Sequence, residues 1–210
     1  MTVGATTKSP KGAATRDQIL RAATRLIHLR GYHSTSLDDV LRESGVGKGN
    51  FYYYFKSKED LGYAIIDRVT QGFVERTLEP IFEDVSLGPI EQIHAFLERV
   101  LDSHRQRNCV GGCPMGNLAS ELSDVHEGFR QRLAEIFRAW QVRVAEALTR
   151  GKASGRIRAE CEPADTAQLI VAALEGAILL TKVSRDITVL ERCVGELKRH
   201  LEMYTNRRRA

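Results

Sequence analysis

The chain has 210 residues, of which 42% are apolar and 28% charged, and its net charge is +4. This composition provides a buried core, excludes a wholly disordered chain, and contains no uninterrupted apolar run of the about 18 residues that span a membrane. The N-terminus is basic without a following apolar segment, so we expect no secretory signal and a cytoplasmic protein that does not enter a membrane.

Positive charge is concentrated near the N-terminus. The first 58 residues hold ten Lys and Arg against four acidic residues, so they carry +6 and the rest of the chain carries −2. This distribution favours a module that binds a polyanion, attached to a nearly neutral body. Charge alone leaves open a second interpretation, a solvated basic surface without a partner.

The N-terminal residues predict an arm followed by two helices. Residues 1–14 are small, polar and basic, and are expected to form a flexible arm. From Thr15 apolar residues recur at spacings of three and four, which predicts a first helix that ends at Gly31. Ser36 then stands before two acidic residues, a pattern typical of a helix N-terminus because its oxygen and the carboxylates meet unpaired N–H groups.

A third short helix is predicted in the aromatic segment 46–55, and Ser57 opens a longer one. Two short helices joined by a Gly-containing turn and flanked by longer helices follow the helix-turn-helix plan. Phe51 and Phe55 are four residues apart and are expected to face the core. Of the three tyrosines between them, we expect one to be packed against the core and the others to face outward.

The rest of the chain is helical by pattern, with no convincing strand run. Amphipathic segments at 89–107, 115–122, 129–152, 163–183 and 187–204 bring the total to about nine helices. We therefore predict an all-α fold. Its parts are the arm at 1–14, a three-helix helix-turn-helix domain at 15–60, and a helical domain at 61–206.

Six short segments resemble the TetR family of transcriptional regulators: Gly31-Tyr32, Thr35–Val40, Gly45-Val46, Lys48-Gly49, Tyr52–Phe55 and Lys58–Leu61. The resemblance extends over residues 15–67. It implies an all-helical, dimeric, repressor-type DNA-binding protein, in which 15–60 is the DNA-binding domain and 61–206 is a ligand-sensing and dimerisation domain. The chain departs from the family pattern at Gly47, where Ser or Thr is usual, and at Tyr54, where His is common.

Ten residues of the helix-turn-helix segment are predicted to contact DNA. Hydroxyls at a helix N-terminus can bind phosphate, lysines supply charge, asparagine and tyrosine can reach base edges, and glycine permits close approach. The set is Thr35, Ser36, Gly47, Lys48, Gly49, Asn50, Tyr52, Tyr53, Tyr54 and Lys58.

These observations predict a sequence-specific regulator of double-stranded DNA. We expect a homodimeric repressor that binds a palindromic operator and is released by an unidentified small molecule or by cysteine modification. One alternative is a non-specific DNA-binding protein held by charge alone. The other is a small helical enzyme, disfavoured because no acid/base pair, nucleophile triad or phosphate loop is evident, and we predict no catalytic residue, metal or cofactor.

A cysteine pair suggests a second means of regulation. Residues 112–121 resemble a Gly-Cys-x-x-x-Asn-Leu-Ala motif of one branch of the family, in which some members respond to electrophiles or oxidants through a cysteine. Cys113 precedes a predicted helix N-terminus and has arginines nearby, which would lower its thiol pKa. We hypothesise that Cys113, resolved by Cys109, is a redox or electrophile switch. The alternative is a small apolar residue in a helix junction.

A ligand pocket is expected among the central helices. Its candidate lining residues, which could equally be plain core, are Phe96, Met115, Phe137, Trp140 and Glu175. Glu175 lies in an apolar stretch where an unpaired carboxylate is costly. It could meet a cationic ligand, Arg143, or a solvated edge of a dimer interface.

The last two helices carry a pattern typical of a helix–helix seam. Apolar residues recur at spacings of three and four in the last helix, and small residues in the preceding helix permit close approach. The predicted dimer interface consists of Ala173, Gly176, Ala177, Leu190, Val194, Leu197 and Leu201. The same seam could be core within one protomer.

Overall fold

The computed structural model describes residues 10–206, with side chains from Gly12 onward, so most of the predicted N-terminal arm lies outside the described residues. The helices are α1 (Pro10–Arg30), α2 (Leu37–Ser44), α3 (Lys48–Tyr54), α4 (Lys58–Phe73), α5 (Glu79–Phe82), α6 (Pro89–Gln106), α7 (Pro114–Leu122), α8 (Glu127–Ala153), α9 (Pro163–Ser184) and α10 (Thr188–Met203). The last residues of the predicted arm, 10–14, are the beginning of α1 rather than flexible chain.

The all-α fold class is confirmed. A π-helical segment, Val74–Leu78, joins α4 to α5 without a break. If α4, the π-helical segment and α5 are counted as one continuous helix, the described residues form nine helices, the number that the spacing of apolar residues predicts. Beyond the helices, Ile157 and Thr205 form one isolated bridge within the described part of the chain.

The chain divides into two compact units between Val69 and Thr70, inside α4. The boundary predicted from the sequence is earlier, after residue 60. The first three turns of α4 belong instead to the N-terminal unit, where Leu61 and Ile65 are buried. An ion pair between Arg68 and Asp17 of α1 also joins α4 to this unit.

The N-terminal unit has its own apolar core. Ile19, Ala23 and Ile27 form the buried face of α1, and the rings of Phe51 and Phe55 pack with centroids 5.6 Å apart, as their spacing predicts. Truncation of a fully buried Phe to Ala costs about 3–5 kcal/mol. The helix-turn-helix therefore depends on a small number of large side chains.

The C-terminal unit is a helical bundle in which α9 packs between α8 and α10, and α6 packs on α8 and α10. Its core residues lie at helical spacing, for example Val144 and Leu148 on α8 and Ile170 and Leu174 on α9. By length and composition α9 could cross a membrane, and it is the single helix among the described residues that could. Helix α9 packs against both α8 and α10, as expected of a helix in the core of the bundle.

Candidate DNA interface and sensing site

Ser36 and Asp39 fix the start of α2 through a reciprocal capping box. The Asp39 backbone N–H donates to Ser36 Oγ at 3.1 Å, and the Ser36 backbone N–H donates to the Asp39 carboxylate at 3.0 Å. The Ser36 hydroxyl also donates to the Asp39 carboxylate, at 2.6 Å, and the two hydrogen bonds that this carboxylate accepts from Ser36 lower the pKa of Asp39, ahead of the charge of Arg42. Ser36 is exposed at this N-terminus, where unpaired N–H groups favour an anion.

Thr35 and Lys58, both predicted to contact DNA, make hydrogen bonds within the N-terminal unit. Thr35 is fully buried and its hydroxyl donates to the Gly31 carbonyl at 2.8 Å, so the prediction that its side chain meets phosphate is wrong. The Lys58 ammonium donates to the Tyr32 carbonyl at 2.7 Å and lies 4.4 Å from the centroid of the Tyr32 ring. Lys58 therefore ties the start of α4 to the loop before α2.

Helix α3 presents a polar face opposite the buried Phe51. Lys48, Gly49 and Asn50 are exposed in its first turn, and Tyr52 and Tyr53 are 48% and 73% exposed. Tyr54 is half-buried, with its ring 4.8 Å from that of Tyr53. The helix contains no acidic residue, so its outer face offers donors and a cation without a carboxylate that would repel phosphate.

Two glycines at the start of α3 leave open space beside the backbone. Gly47 is the N-cap residue, in an extended conformation, and supplies no side-chain hydrogen bond to the helix. A side-chain carbon placed at Gly47 or Gly49 would meet no atom within 4 Å. Packing within the chain therefore does not require glycine at either position.

The predicted dimer seam is mostly core of the single protomer. Ala177 on α9 and the four apolar residues predicted on α10 are at most 6% exposed: Leu190, Val194, Leu197 and Leu201. They point inward because α10 packs against α9 and α6. Gly176 is exposed and Ala173 half-buried, so these two remain on the surface.

The outward face of α9 carries apolar side chains that the sequence analysis missed. Leu169, Leu180 and Val183 are 47%, 59% and 75% exposed, and they share one helix face with Ala173 and Gly176. A groove of about 750 Å³ between α9 and α10 adjoins this face. The signal available in the sequence was a second apolar stripe on α9, at helical spacing but rotated from the buried one.

Three predicted pocket residues meet in an aromatic cluster. The Trp140 ring lies 5.1 Å from Phe137 and 4.9 Å from Phe73, and Phe73 lies 6.4 Å from Phe96. Phe73, which the sequence analysis did not select, directly precedes the π-helical segment, a distortion often found at functional sites. The Trp140 indole N–H is buried and has no hydrogen-bond acceptor in the described part of the chain.

Met115, Cys113 and Glu175 surround the start of α7. Thr70 Oγ1 lies 3.9 Å from Met115 Sδ, while Cys113 is the N-cap residue and its Sγ accepts a hydrogen bond from the Gly116 N–H at 3.4 Å. Burial, and then the charge of Glu175, raise the pKa of the Cys113 thiol far above its ordinary value. The predicted lowering by the helix terminus is therefore wrong, because desolvation outweighs it.

Glu175 has different neighbours from those considered in the sequence. Its carboxylate lies beside the first turn of α7, where a side-chain carbon at Gly116 would overlap it, and burial raises the pKa of Glu175. Arg143 instead lies 3.9 Å from Glu146, so the alternative that Arg143 neutralises Glu175 is wrong. Cys109 is buried, and all four cysteines are free thiols.

A two-helix motif with an exposed second helix, on a unit separate from a larger helical bundle, defines a helix-turn-helix regulator. Residues 19–65 match the model of bacterial regulatory proteins of the tetR family, and residues 89–197 match the tetracyclin repressor-like C-terminal domain. The chain belongs to the TetR family, and it is a DNA-binding transcriptional regulator of the repressor type.

Relatives match over nearly the whole chain. An uncharacterised HTH-type transcriptional regulator from Lactococcus lactis is 37% identical over 90% of this chain and 93% of its own. A regulatory protein TetR from Rhodobacter sphaeroides has a solved structure that is 30% identical, with a TM-score of 0.81 over 89% of this chain and 98% of its own. The reduced form of Escherichia coli NemR, a transcriptional repressor, matches at 28% identity and the same TM-score, over 89% and 96%. These relatives are regulators rather than enzymes.

Proposed function

We propose that the protein reads a palindromic operator through the exposed face of α3. The supporting observation is that Lys48, Asn50, Tyr52 and Tyr53 face outward together while Phe51 holds the helix in the core. Asparagine can pair with an adenine edge in the major groove, and lysine with phosphate. Ser36 at the N-terminus of α2 would add a phosphate contact. This function places the protein in the cytoplasm, where the DNA lies.

A second copy of the chain is the partner that the outward face of α9 fits. Leu169, Leu180 and Val183 would be removed from water when two copies of α9 pack together, and Gly176 would permit close approach of the helices. A two-fold dimer presents two recognition helices to successive major grooves, about 34–36 Å apart. The palindromic operator follows from this symmetry.

The aromatic cluster around Trp140 is the proposed site for a small-molecule effector. Its buried indole N–H lacks an acceptor among the described residues, and a ligand with a carbonyl or similar acceptor would remove that deficit. Phe73 belongs to the helical rod that starts at Lys58 in the DNA-binding unit. A ligand that binds one arrangement of Phe73 better than another would shift the population of DNA-binding states.

Cys113 is the proposed second input. Its segment resembles the cysteine motif of one family branch, and Met115, two residues later, contacts Thr70 on α4. Alkylation adds bulk at the half-buried Cys113 side chain, so it should displace the start of α7 and lower DNA affinity.

The direct test of this input is operator binding before and after treatment with iodoacetamide. We expect binding to fall at least tenfold in the wild type and to be unchanged in a Cys113→Ser variant. Equal loss in both proteins, or no loss in either, would remove Cys113 from the regulatory scheme.

Non-specific binding to DNA is the competing function for the same surface. It would rest on charge contacts alone, and affinity would then fall uniformly with salt for every duplex. The exposed Asn50 and tyrosines favour sequence readout, because such side chains can distinguish base edges that charge cannot.

A further inference from the structure

Two contacts with Tyr32 hold the Lys58 ammonium within the N-terminal unit. It donates to the Tyr32 carbonyl at 2.7 Å and lies 4.4 Å from the centroid of the Tyr32 ring. Tyr32 is 9% exposed, so the ring belongs to the core and offers the ammonium a fixed surface. The quadrupole of an aromatic ring attracts a cation over its face, and the charge-assisted hydrogen bond adds to that attraction.

The Tyr32 carbonyl also closes the turn that leads into α2. It accepts a second hydrogen bond, from the Thr35 backbone N–H at 3.3 Å. Ser36, the residue that caps α2, directly follows this turn. The Lys58 ammonium therefore binds the stretch of backbone that determines where the N-terminus of α2 lies.

The start of α4 does not need a cation at this position. Lys58 is the first residue of α4, where unpaired N–H groups carry partial positive charge and favour an anion. Asp60 supplies that anion: it accepts from the Lys56 N–H at 2.9 Å, and its own N–H donates to Ser57 Oγ at 3.0 Å. Helix capping therefore does not explain a lysine here, whereas the contacts with Tyr32 do.

Exposure distinguishes Lys58 from the neighbouring lysines of the same unit. Lys48 and Lys56 are exposed, as a lysine that meets phosphate must be, whereas Lys58 is half-buried with its ammonium on Tyr32.

We propose that Lys58 is a positioning residue for operator binding. It holds the turn 32–35 against the start of α4, so that the N-terminus of α2 and its Ser36 meet the DNA backbone at a fixed place. Lys58 acts through Tyr32 and makes no phosphate contact of its own. This inference rests on the proposed operator function and extends it to a residue held inside the unit.

The test is the salt dependence of operator binding, measured by fluorescence anisotropy for the wild type, Lys58→Met and Lys48→Met. Methionine keeps much of the side-chain length without the charge, and Lys48 is the matched exposed lysine. Loss of one phosphate contact in each half-site lowers the slope of log affinity against log salt concentration by about 2, the result expected for Lys48→Met. Lys58→Met should weaken binding about 10- to 100-fold while the slope changes by less than about 0.5.

Two results for Lys58→Met would overturn the proposal. A slope lowered by about 1 or more would show that the ammonium meets phosphate. Unchanged affinity in a folded variant with a lower unfolding midpoint would show that the contact with Tyr32 serves stability alone.

Tyr32→Leu tests whether Lys58 acts through Tyr32. It removes the ring but keeps the backbone carbonyl and every charge, so it should weaken binding without changing the slope. Both substitutions break the same contact, so the double variant should bind within about threefold of Lys58→Met. Losses of affinity that add in full would contradict action through Tyr32.

A measurement on the wild type keeps the proposal testable if Lys58→Met fails to fold. The ring current of Tyr32 should move the NMR signals of the Lys58 ε-methylene protons upfield in lysine-labelled protein, and Lys58→Arg identifies these signals by their absence. The upfield shift should persist when operator is added, whereas the Lys48 signals should move. Absence of the shift in the free protein, or its loss on the operator, would overturn the proposal.

The outcomes separate this inference from the proposed function. A wild type that selects no operator refutes the proposed function, and the role of Lys58 with it. Equal operator binding by the wild type and Lys58→Met refutes the role of Lys58 alone.

Discussion

Gly49→Ala separates DNA contact from folding at the start of α3. A methyl group at Gly49 would meet no atom within 4 Å, so it does not strain the protein. Alanine is favoured over glycine in a helix by about 0.5–1 kcal/mol, and we expect the free energy of unfolding to increase by up to that amount.

The same methyl group should weaken operator binding. If α3 lies against DNA, the added carbon must displace the helix and weaken contacts of its first turn. A loss of about 1 kcal/mol in each half-site gives about 2 kcal/mol for a dimer, or roughly 30-fold in Kd. Denaturant unfolding and fluorescence anisotropy on the operator measure the two effects separately.

Gly195→Ala on α10 is the matched control. Its side-chain carbon would lie 3.7 Å from the Arg199 guanidinium, an ordinary contact, so stability should rise similarly while DNA affinity stays unchanged. Unchanged DNA affinity in Gly49→Ala, together with increased stability, would refute the proposal that this turn approaches DNA closely.

Variants of four other residues test base readout, the outward face of α9 and two buried polar side chains. Asn50→Ala should weaken operator binding about 5- to 100-fold with little effect on a scrambled duplex, whereas equal loss on both would contradict base readout. Leu180→Glu should convert the dimer to a folded monomer in analytical ultracentrifugation, and an intact dimer would exclude this face as the interface. Thr35→Val should cost about 1–3 kcal/mol by leaving the Gly31 carbonyl without this donor, and an unchanged unfolding midpoint would contradict that role. Burial lowers the pKa of His104 in the folded state, so the unfolded chain binds more protons just below about pH 6.5; stability should therefore decrease as pH falls through that value, less so in His104→Gln.

The helices of the N-terminal unit could be predicted because their signals are local. Ser36 is the N-cap of α2 as its sequence context predicts, and Gly45 ends α2 in a left-handed conformation with φ of 65°. The contacts of a hydroxyl are less local: Thr35 and Ser36 are adjacent and chemically alike, but the Thr35 hydroxyl is buried against Gly31 and the exposed Ser36 hydroxyl caps α2. The difference depends on how the turn from Gly31 to Thr35 is folded, and the types of these residues alone do not specify that conformation.

The surfaces of the C-terminal unit were harder to predict because both sides of α9 are apolar. Leu174 faces the protomer core and Leu180 faces outward, and spacing alone does not say which stripe is covered by a second copy. The raised pKa of the Cys113 thiol could not be predicted for a related reason. Burial, which depends on tertiary packing, and then the charge of Glu175, which is distant in sequence, raise this pKa and outweigh the effect of the helix terminus.

The central claim is that a dimer reads a defined DNA sequence through α3. Its most direct test is repeated selection of random duplex DNA by the purified protein, with sequencing of the bound fraction. We expect enrichment of a palindrome whose half-site centres are about one helical turn, or a multiple of it, apart. No enriched sequence, with affinity that falls uniformly as salt rises, would contradict the account.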